Sequence, residues 1–279
     1  MLGFSPAGRP DQPPLKLRRS TVALAKVEGL LDVGTIGVTL NGMRSAATLV
    51  AFSFAATLHA QDNTWAMCEA VSPGPNVDAS IRACTVVIDS KPDSAVRLAA
   101  AYLNRANGLQ FKNDNDRAIA DYDQSIRLNP GDARAFYSRG NAYSNKAQHE
   151  RAVADFDQAI ALNPQYASAL NSRCYEQAIL GRTTTALADC NASLRLRPND
   201  APTLDSRGFT YLKMREWDKA IADYDAVLAA NPAQASSLYG RGVAKLRKGD
   251  TAAGNRDLAS AKTSQPDIEA EMKALGVVP

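Results

Sequence analysis

The chain has 279 residues, 32 of them Lys or Arg against 29 Asp or Glu, for a formal charge of +3. Residues 1–60 hold six of the cations and three of the anions, which leaves 26 of each sign in the remainder, a balance without the basic footprint that nucleic-acid binding needs. No apolar run beyond those residues approaches the roughly 20 positions of a membrane-spanning helix, which excludes a multi-span membrane protein.

The first segment carries Pro6, Pro10, Pro13 and Pro14 and the basic run Lys16-Leu17-Arg18-Arg19. Val22–Leu40 is apolar but interrupted by Lys26, Glu28 and Asp32, which fits no membrane helix. Met43-Arg44 then opens an uncharged stretch, Ser45–Leu58, that ends in His59-Ala60-Gln61-Asp62. A basic start, a short apolar stretch and a small residue at the cut are the marks of a secretory signal peptide. Residues 43–60 are therefore read as a signal peptide cleaved after Ala60, and the protein as periplasmic or secreted. Met43 is read as the initiator and residues 1–42 as a disordered extension ahead of it; a long leader or an uncleaved anchor is the alternative.

Residues 61–92 come next, with Cys68 and Cys84 placed 16 apart. Ile81, Cys84 and Ile88 share one face of an expected helix over Asp78–Asp89. A preceding helix near Trp65–Val71 is cut short by Ser72-Pro73-Gly74-Pro75.

From residue 97 to 266 the chain is periodic. Pro130, Pro164, Pro198, Pro232 and Pro266 stand 34 residues apart without slippage. Arg105, Arg139, Arg173, Arg207 and Arg241 keep the same beat, as do Asp121, Asp155, Asp189, Asp223 and Asp257. A fixed period of this length marks a stacked repeat array. Within Ala133–Pro164, Phe136, Gly140, Tyr143, Ala152, Phe156 and Ala159 recur at helical spacing in two groups, parted by a polar break at Lys146–Glu150. That predicts two antiparallel helices per repeat, the second stopped by the proline, which lacks an N–H and clashes with the preceding turn.

These residues resemble the tetratricopeptide repeat, whose 34-residue period and aromatic, Gly, Tyr, Ala, Phe, Pro order they reproduce. The resemblance implies an all-α, right-handed α-solenoid of antiparallel helix pairs with five copies: 99–130, 133–164, 167–198, 201–232 and 235–266. With the proline as position 32, the family's small positions 8 and 20 match Gly140 and Ala152, then Gly208 and Ala220; its aromatic position 24 matches Tyr122, Phe156 and Tyr224. The family usually has Leu at position 7 and often an aromatic at 23, where this chain has the Arg and Asp columns. Their co-occurrence suggests a ladder of Arg–Asp pairs, within or between repeats, since a lone buried Arg would be costly; two independent solvated columns are the alternative. The fifth copy has Lys245 and Leu258 in place of aromatics. Residues 267–279, with Ile268, Met272 and Leu275 on one face, are expected to form a cap helix stopped at Gly276.

Cys174 and Cys190 occupy positions 8 and 24 of the third repeat, which face each other in the family. Cys68 and Cys84 repeat that spacing, and Pro92 follows Cys84 by eight residues as Pro198 follows Cys190, so 61–92 reads as a degenerate leading repeat. Cys68–Cys84 and Cys174–Cys190 are the expected disulfides. Four buried free thiols are the alternative; a zinc site lacks any Cys-x-x-Cys spacing.

In the family, first helices line a concave groove. Carried over, the lining here is Leu103 and Asn107; Arg134, Tyr137 and Asn141; Asn171 and Tyr175; Asp205, Phe209 and Lys213; and Tyr239 and Arg247. Phe111, Asn145, Ile179 and Val243 complete it. Aromatic rings, amides and a few charges suit a protein or peptide partner. Asn107 matches one asparagine of the family's carboxylate clamp, but the lysines are missing, so a C-terminal carboxylate is not the expected ligand.

There is no Gly-rich phosphate loop, no Gly-x-Ser-x-Gly and no implied cofactor or metal. His149 falls in the predicted turn and reads as a solvated loop residue. The Asp-Tyr-Asp runs at 121–123 and 223–225 put neighbouring carboxylates on different helix faces, not in a dyad. The function expected is a non-enzymatic exported scaffold or adaptor. A regulatory subunit of an envelope enzyme and a structural member of an envelope complex are the alternatives.

Overall fold

A computed structural model describes residues 63–279; the signal-peptide reading of 43–60 and the extension 1–42 lie outside them. The described residues are all-α, with thirteen helices and no strand among them. Helix α1 spans 63–69 and α2 Val77–Asp89. Five helix pairs follow: α3 Ala95–Phe111 with α4 Asn115–Leu128, α5 Ala133–Asn145 with α6 His149–Leu162, and α7 Ala167–Ile179 with α8 Thr183–Leu196. The last two are α9 Ala201–Met214 with α10 Trp217–Ala230 and α11 Ala235–Arg247 with α12 Thr251–Ser264, after which α13 spans Ile268–Ala274.

Each pair closes through the same three columns. Ala118, Ala152, Ala186 and Ala220 at position 20 are all at 0% exposure, which lets the second helix approach the first. At positions 8 and 24 of the first, second and fourth repeats a small residue faces a ring. A methyl group added to Gly140 would sit 2.6 Å from a ring carbon of Phe156, a contact that closely packed interiors do not tolerate. In the third repeat, Cys174 and Cys190 take these two places and are joined as a disulfide, as are Cys68 and Cys84. The sulfur bridge thus fills the position that glycine and an aromatic ring fill in the second and fourth repeats.

The turn between the two helices is also repeated. Asn113, Ala147, Gly181, Arg215 and Gly249, 34 residues apart, all have positive φ, from 54° to 92°. In each turn the next residue's N–H reaches back to a carbonyl five residues earlier, as in Gln148 N to Tyr143 O at 2.9 Å. This satisfies the open carbonyls at the end of the first helix. The turn is shorter than the polar break at Lys146–Glu150 suggests: His149 and Glu150 are already helical. An acidic residue in the first turn of a helix is favoured by the positive end of the backbone dipole, so Glu150 belongs inside α6.

Successive pairs stack, with α4 on α5, α6 on α7, α8 on α9 and α10 on α11. First helices also touch each other, α3 with α5, α5 with α7, α7 with α9 and α9 with α11, whereas no two second helices do. The array therefore curves with its first helices on the inside. At the far end α13 lies against α11 and α12, with Ile268 and Met272 buried.

Candidate interaction surface

The arginines at position 7 build a ladder. Nε and Nη2 of Arg105, Arg139, Arg173, Arg207 and Arg241 donate to both carboxylate oxygens of Asp121, Asp155, Asp189, Asp223 and Asp257, at 2.6–2.8 Å. These pairs are within a repeat. The remaining Nη1 reaches the preceding repeat: Arg139 to Asp123 at 2.6 Å, Arg173 to Asp157 at 2.7 Å and Arg241 to Asp225 at 2.8 Å. Arg207 finds the neutral Asn191 there, and Arg105 the hydroxyl of Thr85. The two carboxylates of each Asp-Tyr-Asp run thus serve successive arginines, Asp121 on Arg105 and Asp123 on Arg139. The planar guanidinium, with five donors in a fixed fork, suits this three-way linkage as Lys would not.

The inner face is less uniform than its expected lining. Leu103, Phe209 and Tyr239 are at 4%, 4% and 0% exposure and belong to the core, because the close contact of neighbouring first helices covers them. Asn171 is nearly as buried, and its Oδ1 has no hydrogen-bond donor. Asn107, Tyr137, Asn141, Tyr175, Asp205 and Lys213 are half-buried and reach the surface, while Arg134 and Arg247 are exposed. Asn107 Oδ1 accepts from Tyr122 Oη at 2.8 Å. Tyr137 leans on Tyr166, ring centres 4.9 Å apart, and Tyr175 on Phe209 at 5.5 Å.

The cations of this face are spoken for. Arg134 is held by Asp132 through two bonds of 2.7 and 2.9 Å. Lys213 Nζ donates to Leu275 O at 2.9 Å and lies 5.7 Å from the ring centre of Phe209. Arg247 Nη2 donates to the backbone oxygens of Val278 and Pro279. The segment after α13 therefore lies against the inner ends of α9 and α11. Asp205 differs: it accepts from Ser236 at 3.3 and 3.4 Å and from Ser237, and burial holds its carboxyl above the usual carboxylate range despite those hydroxyls.

His149 is not a solvated loop residue. It begins α6, and its Nδ1 lies 2.6 Å from Oε2 of Glu176, whose Oε1 accepts from Ser144 at 2.5 Å. Glu176 is at 1% exposure, so the pair ties the second repeat to the third through the interior. Sequence reasoning missed Glu176. The signal was its column, which otherwise holds Gly108, Ala142, Thr210 and Ala244. Ser144 and His149 both bond to the glutamate rather than to each other, which gives no activated nucleophile. Among the described residues no group of His, Cys, Asp or Glu could hold a metal ion.

Tetratricopeptide-repeat family models match residues 133–166 and 207–261, and a TPR-repeat model matches residues 112–146. YrrB, described as a TPR protein with an unusual peptide-binding site, is 26% identical with a TM-score of 0.53, over 70% of this chain and 97% of that one. PilW, described as a widely conserved type IV pilus biogenesis factor, is 19% identical with a TM-score of 0.63, over 74% and 94%. A tetratricopeptide repeat protein from Parabacteroides merdae is 13% identical with a TM-score of 0.59, over 71% and 81%. The last two likenesses concern the fold alone. A search of curated protein sequences finds no match.

Proposed function

Since the chain is a tetratricopeptide-repeat protein, a scaffold for protein interaction, we propose that it is an exported, non-catalytic adaptor whose inner face holds an extended segment of a partner protein. The observation that carries this reading is the row Asn107, Asn141 and Tyr175, half-buried at one equivalent position of three adjacent first helices. Packed helices lie about 8–10 Å apart, and an extended chain rises about 3.3 Å per residue. Such a row meets every third residue of an extended ligand, with two amides for its backbone and one ring for a side chain. The likeness to YrrB supports a peptide as the occupant. Two disulfides, with the signal-like stretch Ser45–Leu58, support export to an oxidising compartment. A non-catalytic role is supported by the ladder, which commits the closely spaced carboxylates to arginines.

Site-specific photo-crosslinking tests the reading. A photoreactive residue at Asn141, on the inner face, is expected to capture a partner in the native cell envelope. The same probe at Gln158, exposed on the outer helix α6, is expected to capture none. Capture from Gln158 and not from Asn141 would move the partner to the convex face and support a structural or regulatory subunit instead.

A further inference from the structure

Most buried carboxylates of this array have a basic side chain as partner. Asp121, Asp155, Asp189, Asp223 and Asp257 each have an arginine, and Glu176 has His149. Asp205 of α9 is the exception: it accepts only from the hydroxyls of Ser236 and Ser237 on α11, and no Lys, Arg or His among the described residues pairs with it. It is half-buried on the inner face. Four residues further along the same face, Phe209 supports the ring of Tyr175 from α7. Lys213, another two turns' reach from Asp205 and roughly 12 Å along the helix, is drawn the other way by Leu275 O. One turn before Tyr175 on α7, at the position equivalent to Asp205, stands Asn171 with its buried, donor-less Oδ1. Helices α7 and α9 pack side by side, so the half-buried Asp205 carboxylate and Tyr175 ring share one stretch of the inner face, with Asn171 Oδ1 buried beneath it.

We propose that this stretch is a subsite for a cationic side chain, a lysine or arginine of the bound segment, with Asp205 as its counter-ion and the Tyr175 ring as the surface for its stem. The proposal rests on the peptide-binding reading above and adds the chemistry of the ligand. An ionised acceptor makes hydrogen bonds about twice as strong as a neutral one, and a partly desolvated ring adds a cation–π attraction. A neutral ligand would leave the Asp205 carboxylate buried and unpaired, which penalises the wrong partner as well as favouring the right one.

The test uses the full chain immobilised and exposed to a random mixture of capped hexapeptides, with captured peptides sequenced by mass spectrometry. Lys and Arg are expected to be enriched about tenfold over Leu and Glu, the ratio one charge-assisted hydrogen bond supplies. With Asp205→Asn that enrichment falls to near unity while peptides are still retained. A thermal melt of Asp205→Asn, expected at or above the parent's midpoint, shows that the loss is not unfolding. Capture without Lys or Arg enrichment, or enrichment that survives Asp205→Asn, overturns the subsite and leaves the groove standing. Capture of no peptide overturns the groove reading and the subsite with it.

Discussion

A carboxylate that sits beside two serine hydroxyls and no cation holds its proton more tightly in the folded chain than in the unfolded one. Burial raises the Asp205 pKa, and the bonds from Ser237 and Ser236 only partly offset it. The folded state then binds more protons than the unfolded state, so ionisation costs stability as pH rises from the ordinary carboxylate range through the raised value. Asp205→Asn is accordingly expected to stabilise the protein at pH 7, with the gain vanishing near pH 3; urea unfolding at the two pH values reads it. Asp257 behaves oppositely. Burial pushes its carboxyl up, but bonds from Arg241 and Lys245 outweigh that and hold it below the usual range. Its stabilisation is present above the unfolded pKa and is lost as pH falls through the folded one. Both aspartates read as polar letters in a helical repeat. Asp257 announced its role because it keeps a 34-residue beat with an arginine column. Asp205 announced nothing, because its column runs Leu103, Tyr137, Asn171, Asp205 and Tyr239 and only packing decides which of these is covered.

The helical hairpin is the scale at which most of the fold was legible, because small, aromatic and proline columns each act through one local contact. The turn was less so. Its left-handed residue falls on Asn113, Ala147, Gly181, Arg215 and Gly249, and only two of these are glycine, so composition hid a conformation that all five share. A residue with a Cβ in that conformation costs about 1–2 kcal/mol, against about 0.5–1 kcal/mol of extra chain entropy lost by glycine. Ala147→Gly is expected to stabilise the protein by about 0.5–1 kcal/mol, read as a rise in the urea midpoint without a change in slope. The same logic of columns governs the third hairpin. Cys174→Ser with Cys190→Ser removes a cross-link closing 16 residues, and a loop of about that length is worth about 3 kcal/mol in the chain-entropy model. Cys174→Gly with Cys190→Phe restores the Gly140–Phe156 arrangement and is expected to recover part of that loss under reducing conditions.

Across the whole array, each hairpin touches mainly its neighbours, so stability is close to a sum of hairpin terms and interface terms. Such a molecule should fray from its ends, and both described ends are reinforced, the first by Cys68–Cys84 and the last by Ile268 and Met272 of α13. The ladder and the His149–Glu176 tie strengthen the interfaces between, except that Arg207 meets a neutral Asn191 where other rungs meet a carboxylate. Position along the array therefore decides what a lost disulfide does. Cys68→Ser with Cys84→Ser weakens an end unit that has one neighbour. Faster amide hydrogen exchange is expected to stay within residues 63–89 and to leave α5 to α12 as protected as before. Cys174→Ser with Cys190→Ser weakens a hairpin with interfaces on both sides, α6 against α7 and α8 against α9. Opening it gives up both, so faster exchange should spread into α6 and α9 as well as α7 and α8. A uniform rise in exchange from either pair of substitutions would mean the array opens as one cooperative block, and the additive picture would fail.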